Sequence, residues 1–99
     1  MTNEELQKLE ESKRRVFKRM FGDRYGVRLI ELRLWINDDG REFGQVNFSI
    51  CETMTAMEIG EMCRKMAKWL DGELYGTVNI DYTDEISPVI EMMVEIRLP

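Results

Sequence analysis

The segment from Val27 to Ile50, VRLIELRLWINDDGREFGQVNFSI, decides the fold. Ile30, Leu32, Leu34 and Ile36 alternate with Glu31, Arg33 and Trp35. Val46, Phe48 and Ile50 alternate with Gln45, Asn47 and Ser49. A period of two places successive side chains on opposite faces of a strand, so each run has one apolar and one polar face. Asn37-Asp38-Asp39-Gly40 separates them and reads as a hairpin turn, with Asp-Gly supplying the positive φ angles.

The sequence on either side of this hairpin switches to helical spacing. Asn3 to Phe21 carries Leu6, Leu9, Val16, Phe17, Met20 and Phe21 at intervals of three and four, with Gly22 as the expected left-handed cap. A second helix is expected from Met54 to Leu70. It opens on a Thr55/Glu58 capping box and carries an apolar stripe of Ala56, Ile59, Cys63, Met66, Ala67 and Leu70. Met54, Met57, Met62 and Trp69 fall off that stripe and read as a second apolar patch. Val78, Ile80 and Tyr82 alternate with Asn79 and Asp81 as a third strand, and Asp84 to Pro88 turns the chain. The fourth strand is Val89 to Leu98, with Met92, Val94, Ile96 and Leu98 facing in and Glu91, Glu95 and Arg97 facing out.

These elements predict an α+β fold in αββαββ order: a four-stranded antiparallel sheet with two helices on one face. Residues 1–99 form a single domain, a length that leaves no room for a second core. Strand orders 2-1-3-4 and 1-2-4-3 both satisfy a right-handed crossover between the halves. The halves match at an offset of fifty: Arg14, Lys18, Gly22, Tyr25, Gly26 and Ile30 recur as Arg64, Lys68, Gly72, Tyr75, Gly76 and Ile80. A duplicated αββ unit and two similar helix-to-strand turns of independent origin both account for this.

Charge is unevenly distributed. The net charge is −5, yet residues 13–33 hold eight basic and two acidic groups, while residues 34–99 hold five basic and thirteen acidic. An acidic chain is repelled from nucleic acid and anionic membrane at long range and is suited to basic partners. No apolar run of the length needed for a transmembrane helix occurs, and the opening residues are polar and acidic rather than signal-like, so a cytoplasmic location is expected. Cys51 and Cys63 lie on separate elements without C-x-x-C spacing and read as reduced, buried thiols.

The chemistry-bearing residues point away from catalysis. Histidine is absent, which removes the commonest general base and metal ligand. Asp81, Asp84 and Glu85 form a carboxylate cluster that reads as solvated surface, and Asn37 to Gly40 lacks the spaced ligands of a calcium loop. No cofactor or metal is expected, and the chain reads as a non-enzyme. The basic arc of the first helix, including Arg14, Arg15 and Lys18, is balanced by Glu10–Arg14 and Glu11–Arg15 pairs and reads as a salt-laced solvated face. The polar face of the sheet is the better candidate. It displays Glu31, Arg33, Trp35, Asp81, Glu91, Met93 and Glu95, and Trp and Met are enriched in interface cores.

The sequence therefore predicts a non-catalytic protein-binding module whose partner is another protein. One concrete form is an acidic inhibitor of a nucleic-acid-processing enzyme, by analogy of size and charge with small accessory proteins of phage and other mobile elements. A homodimer using the same apolar surface is expected as a further assembly. The alternatives are a nucleic-acid binder using the basic arc of the first helix, or a structural homo-oligomeric subunit.

Overall fold

Two reciprocal caps set the starts of the long helices. The Thr2 hydroxyl accepts from the Glu5 amide while the Glu5 carboxylate accepts from the Thr2 amide, and Thr55 and Glu58 repeat the arrangement. The computed structural model describes residues 1–50, 53–82 and 87–97. Helix α1 spans Asn3–Phe17, and the chain stays helical through a π-helical turn at Lys18–Gly22 and a single turn, α2, at Asp23–Tyr25. Helix α3 spans Ala56–Trp69. The strands are β1 (Val27–Ile36), β2 (Glu42–Ile50), β3 (Gly72–Leu74), β4 (Asn79–Asp81) and β5 (Val89–Ile96).

All strand pairings are antiparallel, in the order β1-β2-β5-β3, with β4 also pairing β5. The far edge beyond β5 is thus shared by two short strands. In the four-strand frame expected from sequence, this is the 1-2-4-3 order. The fifth strand corrects the αββαββ reading. The residue that leaves helix α3 in a left-handed conformation is Asp71, at φ 55°, not Gly72. Gly72 instead pairs with Ile96, where a β-carbon would lie 2.3 Å from Val94 Cγ1 and 2.5 Å from the Glu95 carbonyl oxygen. The glycine is needed for close approach of two strands.

The first helical cap also moves. Gly22 sits at φ −60° inside the π-helical turn, and Gly26, at φ 67°, is the left-handed residue that ends the helix. Gly76, at φ 74°, repeats this conformation after Tyr75, but strand β3 precedes it there rather than a helix. The fifty-residue repeat thus matches at Tyr-Gly and diverges around it. In the hairpin loop, Gly40 alone takes positive φ, and Asn37 receives the Gly40 amide at 3.0 Å.

Strand β1 departs from strict alternation. Its register against β2 shifts between Leu29 and Glu31, leaving Ile30 as an extra, bulged residue that is 54% exposed. The bulge puts Val27 and Leu29 on the same face as Leu32, Leu34 and Ile36. Ile30 was expected inside; the alternation rule fails because it assumes an unbroken ladder.

The core lies between this face and the helices. It is built from Leu6, Phe17 and Phe21; Leu32, Val46, Phe48, Ile90, Met92 and Val94; and Ile59, Met62, Cys63, Met66 and Leu70. The expected apolar patch on α3 is largely absorbed. Met62 is fully buried, Met54 packs against the core, and Trp69 meets Phe17 and Phe21 edge-on at 6.1 and 5.2 Å. The expected stripe was too narrow, because α3 packs against both the sheet and the aromatic side of the first helix. Met57 remains outside, and Met20, expected inside, is also exposed. Cys51, Asp84, Glu85 and Leu98 lie outside the described residues. Among the described residues, no helix is long and apolar enough to cross a membrane.

Candidate protein-binding face

The sheet face opposite the helices is ordered by strand register. Trp35 of β1, Phe43 of β2 and Glu95 of β5 lie side by side across three strands; so do Arg33, Gln45 and Met93, and then Glu31, Asn47 and Glu91. Asp81 on β4 stands opposite Val89 at the far end. The structure therefore brings all seven expected residues, Glu31, Arg33, Trp35, Asp81, Glu91, Met93 and Glu95, onto one face.

It also adds three residues that sequence reading did not select. Phe43 stacks with Trp35 at 6.1 Å and meets Tyr75 edge-on at 5.0 Å. Arg41 lies over both Phe43 and Tyr75, at 5.3 and 5.8 Å, and Arg33 lies over Trp35 at 5.8 Å. Phe43 is only 5% exposed although it points away from the main core, so this face carries a small apolar nucleus of its own. Trp35 is half-buried and Tyr75 is exposed. Phe43 shares parity with Gln45 and Asn47, a signal legible in the sequence. Tyr75 enters the sequence pattern only as the counterpart of Tyr25; strand β3, with the Tyr75 amide donating to the Met93 carbonyl at 2.9 Å, carries it onto the sheet.

Electrostatics on this face are paired rather than uniformly acidic. Arg41 hydrogen-bonds and ion-pairs with Glu95, and this bond holds the Glu95 carboxyl below the usual carboxylate range and raises Arg41. Arg97 bridges Glu73 and Glu95 at 3.5 and 3.6 Å, relieving two like charges on neighbouring strands. Glu31 lies 3.7 Å from Arg33. Glu91 has no ion pair among the described residues. It lines a groove of about 350 Å³ together with Gln45, Tyr75, Thr77, Asn79 and Met93. That groove offers one carboxylate, several amide and hydroxyl acceptors, and an apolar flank.

The basic arc of α1 is partly committed to the fold. Lys13 Nζ donates to the Trp69 carbonyl at 2.7 Å and sits 4.7 Å from the indole centroid. Arg14 Nε donates to the Leu32 carbonyl at 3.1 Å while its terminal nitrogen pairs with Glu10 at 3.1 Å. The expected Glu11–Arg15 pair does not form; both side chains are exposed. Among the described residues, no group of three or more acidic or thiol side chains is placed to hold a metal ion. Cys63 is fully buried, and burial pushes its thiol up to about 11. No family model, curated protein or solved structure matches this chain.

Proposed function

We propose that this chain is a non-catalytic protein-binding module that receives a basic segment of another protein on the outer face of its sheet. The observation that carries this reading is the Trp35–Phe43–Tyr75 row. Three aromatic rings are stacked and edge-packed on the face away from the helices, with Trp35 and Tyr75 presented to solvent on a buried Phe43 base. Rigid, amphipathic aromatic surface of this kind supplies binding energy at small entropic cost. The neighbouring groove supplies charge complementarity through Glu91, and the net charge of −5 steers a basic partner toward the molecule. In its finer form the module is an inhibitor that competes for the basic, phosphate-binding groove of a nucleic-acid-processing enzyme.

The test is kinetic. A partner recovered with the full chain is titrated against single variants. Trp35→Ala raises the off-rate, by an amount on the order of 2 kcal/mol for a buried aromatic anchor. Glu91→Lys slows the on-rate and weakens its salt dependence. Arg15→Ala and Arg19→Ala, remote from this face, leave both rates unchanged. Binding lost with the arginine variants and indifferent to Trp35 and Glu91 assigns the activity to the helix and overturns the reading.

A further inference from the structure

Where α1 passes into its π-helical turn, a groove of about 450 Å³ opens between the helix and the start of β1. Arg14, Lys18 and Asp23 line it from the helical side, Arg28 from the strand, and Phe17, Val27 and Leu29 form its apolar floor. The volume lies within the range of small-ligand pockets. Arg14 is held by the Leu32 carbonyl and Glu10, so it forms a fixed wall. Lys18 and Arg28 have no ion pair among the described residues, and Asp23 neutralises neither.

The backbone here is specialised. The Asp23 amide donates to the Lys18 carbonyl, the i to i+5 bond of a π-turn, a rare insertion that recurs at functional sites. A β-carbon on Gly22 would lie 3.2 Å from the Val27 carbonyl oxygen and 3.3 Å from Lys18 Cγ. Glycine lets the helix approach the strand and leaves the Lys18 stem room over the groove. Phe21 and Tyr25, stacked at 6.2 Å, account for the side of this turn away from the groove. They do not explain two unpaired cations gathered over an apolar floor.

We propose that this groove binds a small organic phosphate. The phosphate oxygens accept from Lys18 Nζ and the Arg28 guanidinium, and the organic body lies on Phe17, Val27 and Leu29. A long polyanion is disfavoured, because Glu10 stands beside the groove and the chain as a whole is acidic. The site is independent of the sheet face and of any protein partner.

The experiment is an amide chemical-shift titration of the full chain with phenyl phosphate, inorganic phosphate and phenol. Phenyl phosphate is expected to shift amides 18–29 saturably, about tenfold more tightly than either fragment alone, because both charge and apolar contact contribute. Lys18→Gln with Arg28→Gln abolishes the saturable shifts, and Lys18→Arg retains them. The same spectra report folding by their dispersion, and the ranking on the unmodified chain stands as a test without any variant. Equal affinity for phosphate and phenyl phosphate, equal affinity for phenol and phenyl phosphate, or no saturable shift overturns the proposal. So does a single-stranded oligonucleotide that perturbs these amides at lower concentration than phenyl phosphate.

Discussion

The Glu10 carboxylate accepts a hydrogen bond from the Leu34 amide at 2.8 Å, joining a helix side chain to the free edge of strand β1. One turn later Arg14 donates to the Leu32 carbonyl, two residues back on the same edge, and the two side chains pair with each other. An edge strand exposes unpaired donors and acceptors that invite another strand. Here an i,i+4 pair occupies one donor and one acceptor of that edge. The pair is legible in sequence as a helix salt bridge; its role in closing a sheet edge is not.

Glu10→Ala is therefore expected to destabilise the fold by about 1–3 kcal/mol, since it leaves a part-buried amide and an unmatched arginine. Glu10→Gln keeps an acceptor and costs less. Amide exchange at Leu34 accelerates in the alanine variant beyond the change in global stability. Unchanged exchange at Leu34 would show that the carboxylate does not seal the edge.

Two glycines separate steric need from tolerance. At Gly72 a β-carbon meets the Glu95 backbone as well as Val94, whereas at Gly44 the nearest atom, at 2.9 Å, is Leu34 Cδ2, the end of a flexible side chain. Gly72→Ala is expected to cost about 3 kcal/mol, near the upper end for overpacking, and Gly44→Ala appreciably less. Thermal melts of the two variants give the order directly. Equal losses would mean that β3 yields without disturbing β5.

Acid should weaken the fold through identifiable carboxylates. Glu5 and Glu58 are held below the usual range first by hydrogen bonds from the Thr2 and Thr55 amides, and Glu95 first by its bond to Arg41. A depressed carboxyl contributes stability above its unfolded-state pKa and loses it as pH falls through its folded value. Stability is thus expected to be flat near neutrality and to decline below about pH 4.3, where an unperturbed Glu titrates. Arg41→Gln should reduce the Glu95 share of that slope, read from denaturant midpoints against pH. An unaltered slope would exclude the Arg41–Glu95 bond as its source.

Cys63 should resist modification in the native state. Its thiol is raised by burial to about 11, so the thiolate fraction at pH 8 is small and access is closed. Site-resolved mass spectrometry after alkylation is expected to show Cys63 labelled only when denaturant opens the core. Rapid labelling in native buffer would contradict the packing of α3 on the sheet.

The sequence by itself determined the two long helices, strands β1, β2, β4 and β5, and the division of the sheet into two faces. The hairpin signal and the Thr55 capping box appear where expected. The inward set Met92, Val94 and Ile96 also appears, because local periodicity and capping depend on neighbours in the chain. Tertiary structure decided the remainder. The choice of the 1-2-4-3 order required pairing across β5 that neither half encodes alone. The bulge at Ile30 shifts strand parity to bring both ends of β1 onto one core, and no alternation rule contains that insertion. Trp69 left the surface because α3 found a second packing neighbour in Phe17 and Phe21, and Met62 is buried in the common core. The site divides in the same way. Trp35, Glu91 and Met93 follow from parity, but the Trp35–Phe43–Tyr75 row exists only because Asp71 turns the chain and frees Gly72 to add a strand. The groove of Lys18 and Arg28 likewise depends on a π-turn that helical spacing does not reveal. Contacts between residues far apart in the chain carry these features, and their closure is a property of the packed whole.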